Sequence, residues 1–440
     1  MITREGGVSR RRMLKVAASA IAAPYIVPAS VFGAEAPSNR ITIGCIGTGR
    51  MGTGDLQDVI GRPGVQIVAA CDVDKNRVAN AKRIVESYYG ARSAAGTYKG
   101  CATYGDYREL IARGDVDVVQ IVTPDHWHAM PAIAAAKAGK DIFIQKPLTY
   151  SLEEGRILSQ TVKRYGRILQ VGSQQRSEAN FRFGCELVRN GRIGKLVAVK
   201  VGLPTDPAGV ARGPMPVPEW LDYEFWLGPA LWFPYTEERV HPADINDRPG
   251  WLRVQEYCLG MITGWGAHHN DIAQWGMGTE YTGPVEVEAE AEYPADGVWD
   301  VHTDFRIEYT YASGVKVICA DDKRSRAGVT FEGTEGWVYV DRGKIDASPK
   351  SLLQSVIGAN EVQLYRSAHH KQNFLDCVRT RKEPIAPVEV AHRSCSVCIL
   401  GSIAMKLGRK LKWDPGRERF VGDEEANRML GRAYRGAWRL

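Results

Sequence analysis

Two side chains carry most of the chemistry that this sequence offers. Lys146 follows a β-branched segment, Asp141–Gln145, and precedes Pro147. A lysine at the end of a sheet strand can donate to a substrate hydroxyl and stabilise the alkoxide that develops as an alcohol is oxidised. His268 lies in Gly264-Trp265-Gly266-Ala267-His268-His269-Asn270-Asp271 and brings an imidazole, whose ordinary pKa of about 6.5 suits a general base. Asp271, three residues on, is within reach to orient it, and His269 is the neighbouring alternative. Arg176 and Trp265 are the further expected substrate contacts, since an indole offers a flat apolar face to the C–H face of a sugar ring. Seven of the eleven Trp fall between Trp220 and Trp299, in loops such as Trp226-Leu227-Gly228-Pro229 and Arg248-Pro249-Gly250-Trp251. Taken singly, each of these reads as packing before it reads as a sugar platform.

Oxidising an alcohol needs a hydride acceptor. Gly47-Thr48-Gly49-Arg50-Met51-Gly52 is a G-x-G-x-x-G at a predicted strand-to-helix turn. Gly47 permits the turn, Gly49 lets the backbone approach a pyrophosphate, and Gly52 lets the helix pack on the strand, while Arg50 and Met51 begin the helix whose N–H groups face the phosphates. Asp72 ends the next strand, twenty residues after Gly52, where a ribose diol needs an acceptor. A carboxylate there favours NAD; Arg77 or Lys75 leaves NADP open. Thr123, Pro124 and His128 follow another strand and belong over the nicotinamide end together with Lys146.

Those groups need a sheet to hold them. Ile41–Gly47, Val65–Cys71, Val116–Val122, Asp141–Gln145 and Ile168–Val171 read as strands, separated by helices near 51–60, 75–88, 107–112, 127–138 and 152–165. Continuous apolar strands alternating with helices predict an α/β Rossmann domain, a doubly wound parallel sheet. After a helix over 177–190, six strand-like segments between 195 and 341 follow with few helices. They predict an α+β domain with a large, open-faced, mainly antiparallel sheet. The expected divisions are 1–36, a signal peptide; 37–176, the nucleotide domain; 177–412, the substrate and oligomerisation domain; and 413–440, a tail packed on the body.

The set Gly47-x-Gly49-x-x-Gly52, Thr123-Pro124-Asp125-x-x-His128, Ala138-Gly139-Lys140 and Lys146-Pro147 resembles the Gfo/Idh/MocA oxidoreductases. The resemblance implies a sugar or polyol substrate, Lys146 and His268 as catalytic groups, and a homodimer or homotetramer assembled on the open sheet. Two positions depart from the family pattern. Gln145 stands where Glu usually precedes the lysine, and Gly264 stands where an Asp usually lies four residues before the histidine, which puts the usual proton relay in question.

Composition narrows the remaining classes. Of 440 residues, 44% are hydrophobic and 25% charged, as in ordinary soluble proteins. The formal charge is +6, and residues 1–36 account for half of it, which argues against a nucleic-acid footprint. Arg10-Arg11-Arg12 precedes an apolar run, Val16–Val31, too short to be a stable membrane anchor, and resembles a twin-arginine signal read by that export machinery. The expected location is the periplasm or beyond. Nine scattered Cys, with one close pair at Cys395 and Cys398 in an apparently amphipathic helix, complete no metal set. Three functions remain: an exported oxidoreductase with tightly bound NAD(P); a redox-neutral lyase or glycoside-cleaving enzyme using transient sugar oxidation; and a nucleotide- or sugar-binding protein without chemistry.

Overall fold

Six short strands line up because their side chains are apolar on both faces and helices cover both faces. They are β1 (Ile41–Ile46), β2 (Val65–Cys71), β3 (Ala102–Tyr104), β4 (Val118–Ile121), β5 (Asp141–Ile144) and β6 (Leu169–Val171), all parallel, in the order β3-β2-β1-β4-β5-β6. In this computed structural model, which describes residues 40–92, 98–207 and 209–440, Ile41–Leu440 forms one compact unit. The export signal expected over residues 1–36 lies outside the described residues. β3 was not expected, since three residues are too few to show a period. The expected helix over 127–138 divides into a short 3-10 turn, Asp125–Trp127, and a helix, Ala129–Lys137.

Local signals fix the crossovers. Asp74 caps the helix Lys75–Gly90 by accepting from the backbone N–H groups of Asn76 and Arg77, and Ser151 with Glu154 forms a capping box on Leu152–Arg164. The nucleotide half also borrows a layer from far along the chain. Helix His370–Thr380 puts Phe374 and Leu375 into the core with Phe143, and its buried Lys371 reaches the Gln120 Oε1 at 2.6 Å and Asp55 Oδ1 at 3.3 Å.

The second sheet contains β7 (Leu196–Leu203), β8 (Glu286–Ala291), β9 (Phe305–Thr310), β10 (Lys316–Asp321), β11 (Gly328–Gly333), β12 (Trp337–Asp341), β13 (Lys344–Ser348), β14 (Leu411–Asp414) and β15 (Arg419–Phe420). Its order is β13-β12-β11-β7-β10-β9-β8-β14-β15, antiparallel except where β7 meets β10. β14 crosses the expected 412/413 division and joins the tail to the sheet through β8. Helices Ala179–Arg189, Gly266–Met277 and Val388–Leu407 cover one face. The other face carries ion pairs such as Lys200–Glu332 and Lys316–Glu308. The helix with Cys395 and Cys398 is not amphipathic. It is long and apolar enough to cross a membrane, yet 89% of its most apolar window is buried inside the protein, because it is the central packing element between layers.

Candidate functional site

A cavity of about 590 Å³ begins at the carboxyl ends of β1, β2, β4 and β5 and extends beneath the aromatic loops of the second half. Gly47 turns the chain at φ +82°, and a Cβ on Gly52 would come within 2.0 Å of the Gly47 carbonyl oxygen, so both positions require glycine. The helix Arg50–Ile60 starts at Gly49 without a side-chain cap and with no acid in its first turn. Its free N–H groups and positive dipole end are suited to a pyrophosphate. Gly47, Gly49, Arg50 and Met51 line the cavity. Asp72 is fixed beside them: Thr48 N donates to its Oδ2 at 2.7 Å and Asp74 N to its Oδ1 at 3.0 Å. Thr123 and Pro124 also line the cavity, and the buried Thr123 hydroxyl has no partner. An uncapped helix start, an anchored carboxylate and an orphaned hydroxyl on one wall fit a nicotinamide dinucleotide.

Loops of the second half close over this end. Lys75 N donates to Trp220 O at 2.9 Å, Asp222 N to Val73 O at 3.1 Å, and Arg77 Nη2 to Pro242 O at 3.2 Å, while His241 Nε2 lies 3.1 Å from Asp74 Oδ2. Burial opposes ionisation of Asp74, but His241 and Arg77 hold its carboxyl below the usual range. The clasp was not legible in the sequence, because His241 and Asp74 are 167 residues apart.

At the far end the cavity brings Lys146, His268, Trp265 and Gly264 together. Lys146 is half-buried, and burial lowers its pKa against the opposing pull of Asp125. Asp125, 4% exposed, also lines the cavity, and burial pushes its carboxyl up to about 7 although Lys146 pulls it down. Burial, reinforced by Lys146, holds His268 neutral, well below the ordinary imidazole range, and its Nδ1 has no partner. Arg248 and Arg342 line the same end. Asp125, Arg248 and Arg342 were missed as site residues; only Asp125 had a signal, its position at a strand end within the Thr123-Pro124-Asp125 motif.

His128 lies on the cavity wall but holds the backbone: Nδ1 is 2.6 Å from Pro147 O and Nε2 2.9 Å from Thr123 O. It ties the loop bearing Thr123 to the loop bearing Lys146. Three expected substrate groups are placed elsewhere. Arg176 Nε and Nη2 grip Asp271 at 2.6 and 2.9 Å, Nη1 reaches Glu280 at 2.9 Å, and Ser394 Oγ donates to Asp271 at 2.7 Å. That bidentate pair consumes both residues as buried structure, so Asp271 does not orient His268. His269 turns its Nδ1 to Gly202 O at 3.1 Å, and burial pushes its pKa down to about 4. Gln145 donates its amide to Asp55 Oδ2 at 2.8 Å and contributes no charge beside Lys146.

Comparison with known proteins agrees with this fold. Residues 41–173 match the NAD-binding Rossmann fold of the oxidoreductase family, and residues 209–440 match its C-terminal alpha/beta domain. Over 387 residues, 86% of this chain and 98% of the relative, the sequence is 24% identical to scyllo-inositol 2-dehydrogenase (NAD(+)) of Bacillus subtilis (strain 168). Over 34% of the chain it is 33% identical to a glycosyl hydrolase family 109 protein of Shewanella amazonensis. The chain spans less than half the length of the first curated relatives it matches, 44% of one and 35% of another. The fold also matches the WlbA dehydrogenase of Bordetella pertussis, solved with NADH and UDP-GlcNAcA, with a TM-score of 0.62 at 17% identity over 85% of this chain and 99% of that one. With both of its halves matched by family models, an NAD-binding Rossmann domain followed by the alpha/beta domain, the chain belongs to the Gfo/Idh/MocA oxidoreductases.

Proposed function

We propose that this protein oxidises a hydroxyl of a sugar or polyol with a retained nicotinamide cofactor. The observation that carries the reading is one continuous cavity joining the glycine turn and Asp72 to Lys146, Asp125 and His268. Gly47, Gly49, Asp72 and Thr123 would hold NAD, which when bound accepts the carbinol hydrogen as hydride. Lys146 donates to the substrate oxygen and stabilises its developing negative charge. His268, neutral at pH 7, receives the hydroxyl proton. Asp125 supplies the negative charge that keeps Lys146 protonated, a task open to it because residue 264 has no carboxylate. Trp265 forms part of the wall against the substrate.

The clasp formed by Trp220, Asp222, His241 and Pro242 on the end of β2 supports slow cofactor release. At a typical k_on of about 10⁶ M⁻¹s⁻¹, retention for hours needs a Kd of about 10⁻¹⁰ M or below. The arginine pair before the apolar run supports export, where such retention is useful. The clasp also favours a second reading, in which transient oxidation serves the cleavage of a neighbouring bond and the hydrogen is returned. The family 109 name of the Shewanella relatives is consistent with it.

The test starts with the dialysed protein, denatured and assayed for small molecules by mass spectrometry, followed by a sugar and polyol panel read at the reduced-nicotinamide absorbance. Near-stoichiometric NAD together with reduction by one panel member is expected. Product formed with no lasting reduction would transfer the assignment to the second reading. Absence of bound NAD, with no tight rebinding, would overturn both. Lys146→Ala and His268→Ala should each lower kcat by roughly 10²–10⁴ while retaining NAD.

A further inference from the structure

The substrate end of the cavity has an unusual charge pattern. Met261 and Trp265 are one helical turn apart and both line the cavity, with Gly264 between them. On one side the Arg248 guanidinium lies 3.8 Å from the Met261 sulfur; on the other, the Arg342 guanidinium sits 4.8 Å over the Trp265 ring. The two arginines therefore flank the same short helix from a loop and from the turn between β12 and β13. Among the described residues neither makes an ion pair, whereas Arg176 and Arg77 are each paired with Asp. Both arginines line the cavity, and the helix leaves room beside Gly264, where a Cβ would meet only the Met261 sulfur, at 3.6 Å, apart from its chain neighbours.

We propose that this wall binds an anionic group carried by the sugar itself, the carboxylate of a sugar acid or the phosphate of a sugar ester, in the space left beside Gly264 and between Arg248 and Arg342. The proposal rests on the oxidoreductase reading and narrows its substrate. The cofactor's own phosphates do not account for these arginines, because the uncapped helix start at Gly49 is at the opposite end of the cavity. Glu178 lies near Arg342 and Asp206 near Arg248, and each offsets part of the positive charge, but neither closes on a guanidinium as an ion pair. An oxyanion between two guanidinium groups accepts charge-assisted, bidentate hydrogen bonds that a neutral hydroxyl cannot match.

The experiment uses the NAD-loaded full chain and tryptophan fluorescence, with Trp265 as reporter, at constant ionic strength. It compares D-glucuronate, D-galacturonate, D-gluconate and D-glucose 6-phosphate with D-glucose, D-galactose and inorganic sulfate. At least one anionic sugar should bind about tenfold or more tightly than its neutral counterpart, and which one wins separates carboxylate from phosphate. The advantage should vanish in the double variant Arg248→Gln/Arg342→Gln, and in Gly264→Asp, whose carboxylate would occupy the space and repel the anion. Retained NAD in each variant reports the fold. Equal binding of anionic and neutral sugars, preference for sulfate alone, or an advantage that survives the double variant would overturn the proposal. A bound acid that is never oxidised would instead remove the dehydrogenase reading and leave the anion site standing.

Discussion

At the scale of single residues, Asp125 is the least expected participant and the most readily tested. Its carboxyl titrates at about 7 because burial opposes its charge. As pH rises through that value it becomes the counter-charge of Lys146, so kcat/KM should rise between about pH 6 and 8 in the native enzyme and be flat there in Asp125→Asn. Stability carries the opposite sign. The folded state holds this proton more tightly than an ordinary carboxyl with a pKa of 3.8 would, so the advantage is complete below 3.8 and is lost as pH rises through about 7. Asp125→Asn should therefore melt at a higher temperature than the native protein at pH 8. For the pair Arg176 and Asp271, both 2% exposed at the side chain, Asp271→Ala should cost about 3–5 kcal/mol in denaturant titrations. An unchanged stability with a raised KM would return Asp271 to the substrate site. The glycine turn and the lysine stood out in the sequence because strand ends mark them, whereas the histidine was singled out only through the family resemblance. The sequence misassigned Arg176, His269 and Asp271 because nearness along a helix does not reveal a salt bridge to a residue 95 positions away.

At the scale of elements, the parallel strands were legible because apolar runs alternating with helices have few other solutions. β13, β14 and β15 were not, since strands of two to five residues show too little of an apolar period, and the placement of the helix His370–Thr380 against the nucleotide half leaves no local mark. The aromatic loops were visible as a concentration of Trp, but their attachment to the end of β2 was not. That attachment gives a prediction. His241→Ala removes a tie to Asp74 and leaves the cap of the helix Lys75–Gly90 intact, so NAD release should accelerate by about tenfold, consistent with the loss of one charge-assisted bond. Stopped-flow trapping of released NAD reads this rate, and an unchanged rate would mean that the clasp is not the gate.

At the scale of the whole molecule, burial of imidazoles governs the response to acid. Eight of the nine His have pKa values pushed down by burial, among them His128, His269, His302 and His370 to about 4. Groups with depressed pKa stabilise the fold above their unfolded value of 6.5 and cease to do so as pH falls toward 4. Asp125 and Asp206, titrating at about 7 and about 6, oppose this trend but are fewer. Calorimetry should show the melting temperature falling steadily from pH 6.5 to pH 4; a flat profile would contradict it. The layer borrowed from residues 370–380 also imposes a schedule on biosynthesis. Asp55 and Gln120 emerge from the ribosome long before Lys371, and the 251 positions between Gln120 and Lys371 take on the order of 10–50 s to translate. For that interval the nascent nucleotide half has acceptors awaiting their cation and an uncovered Phe143, a natural target for a holding chaperone until its late-arriving helix docks.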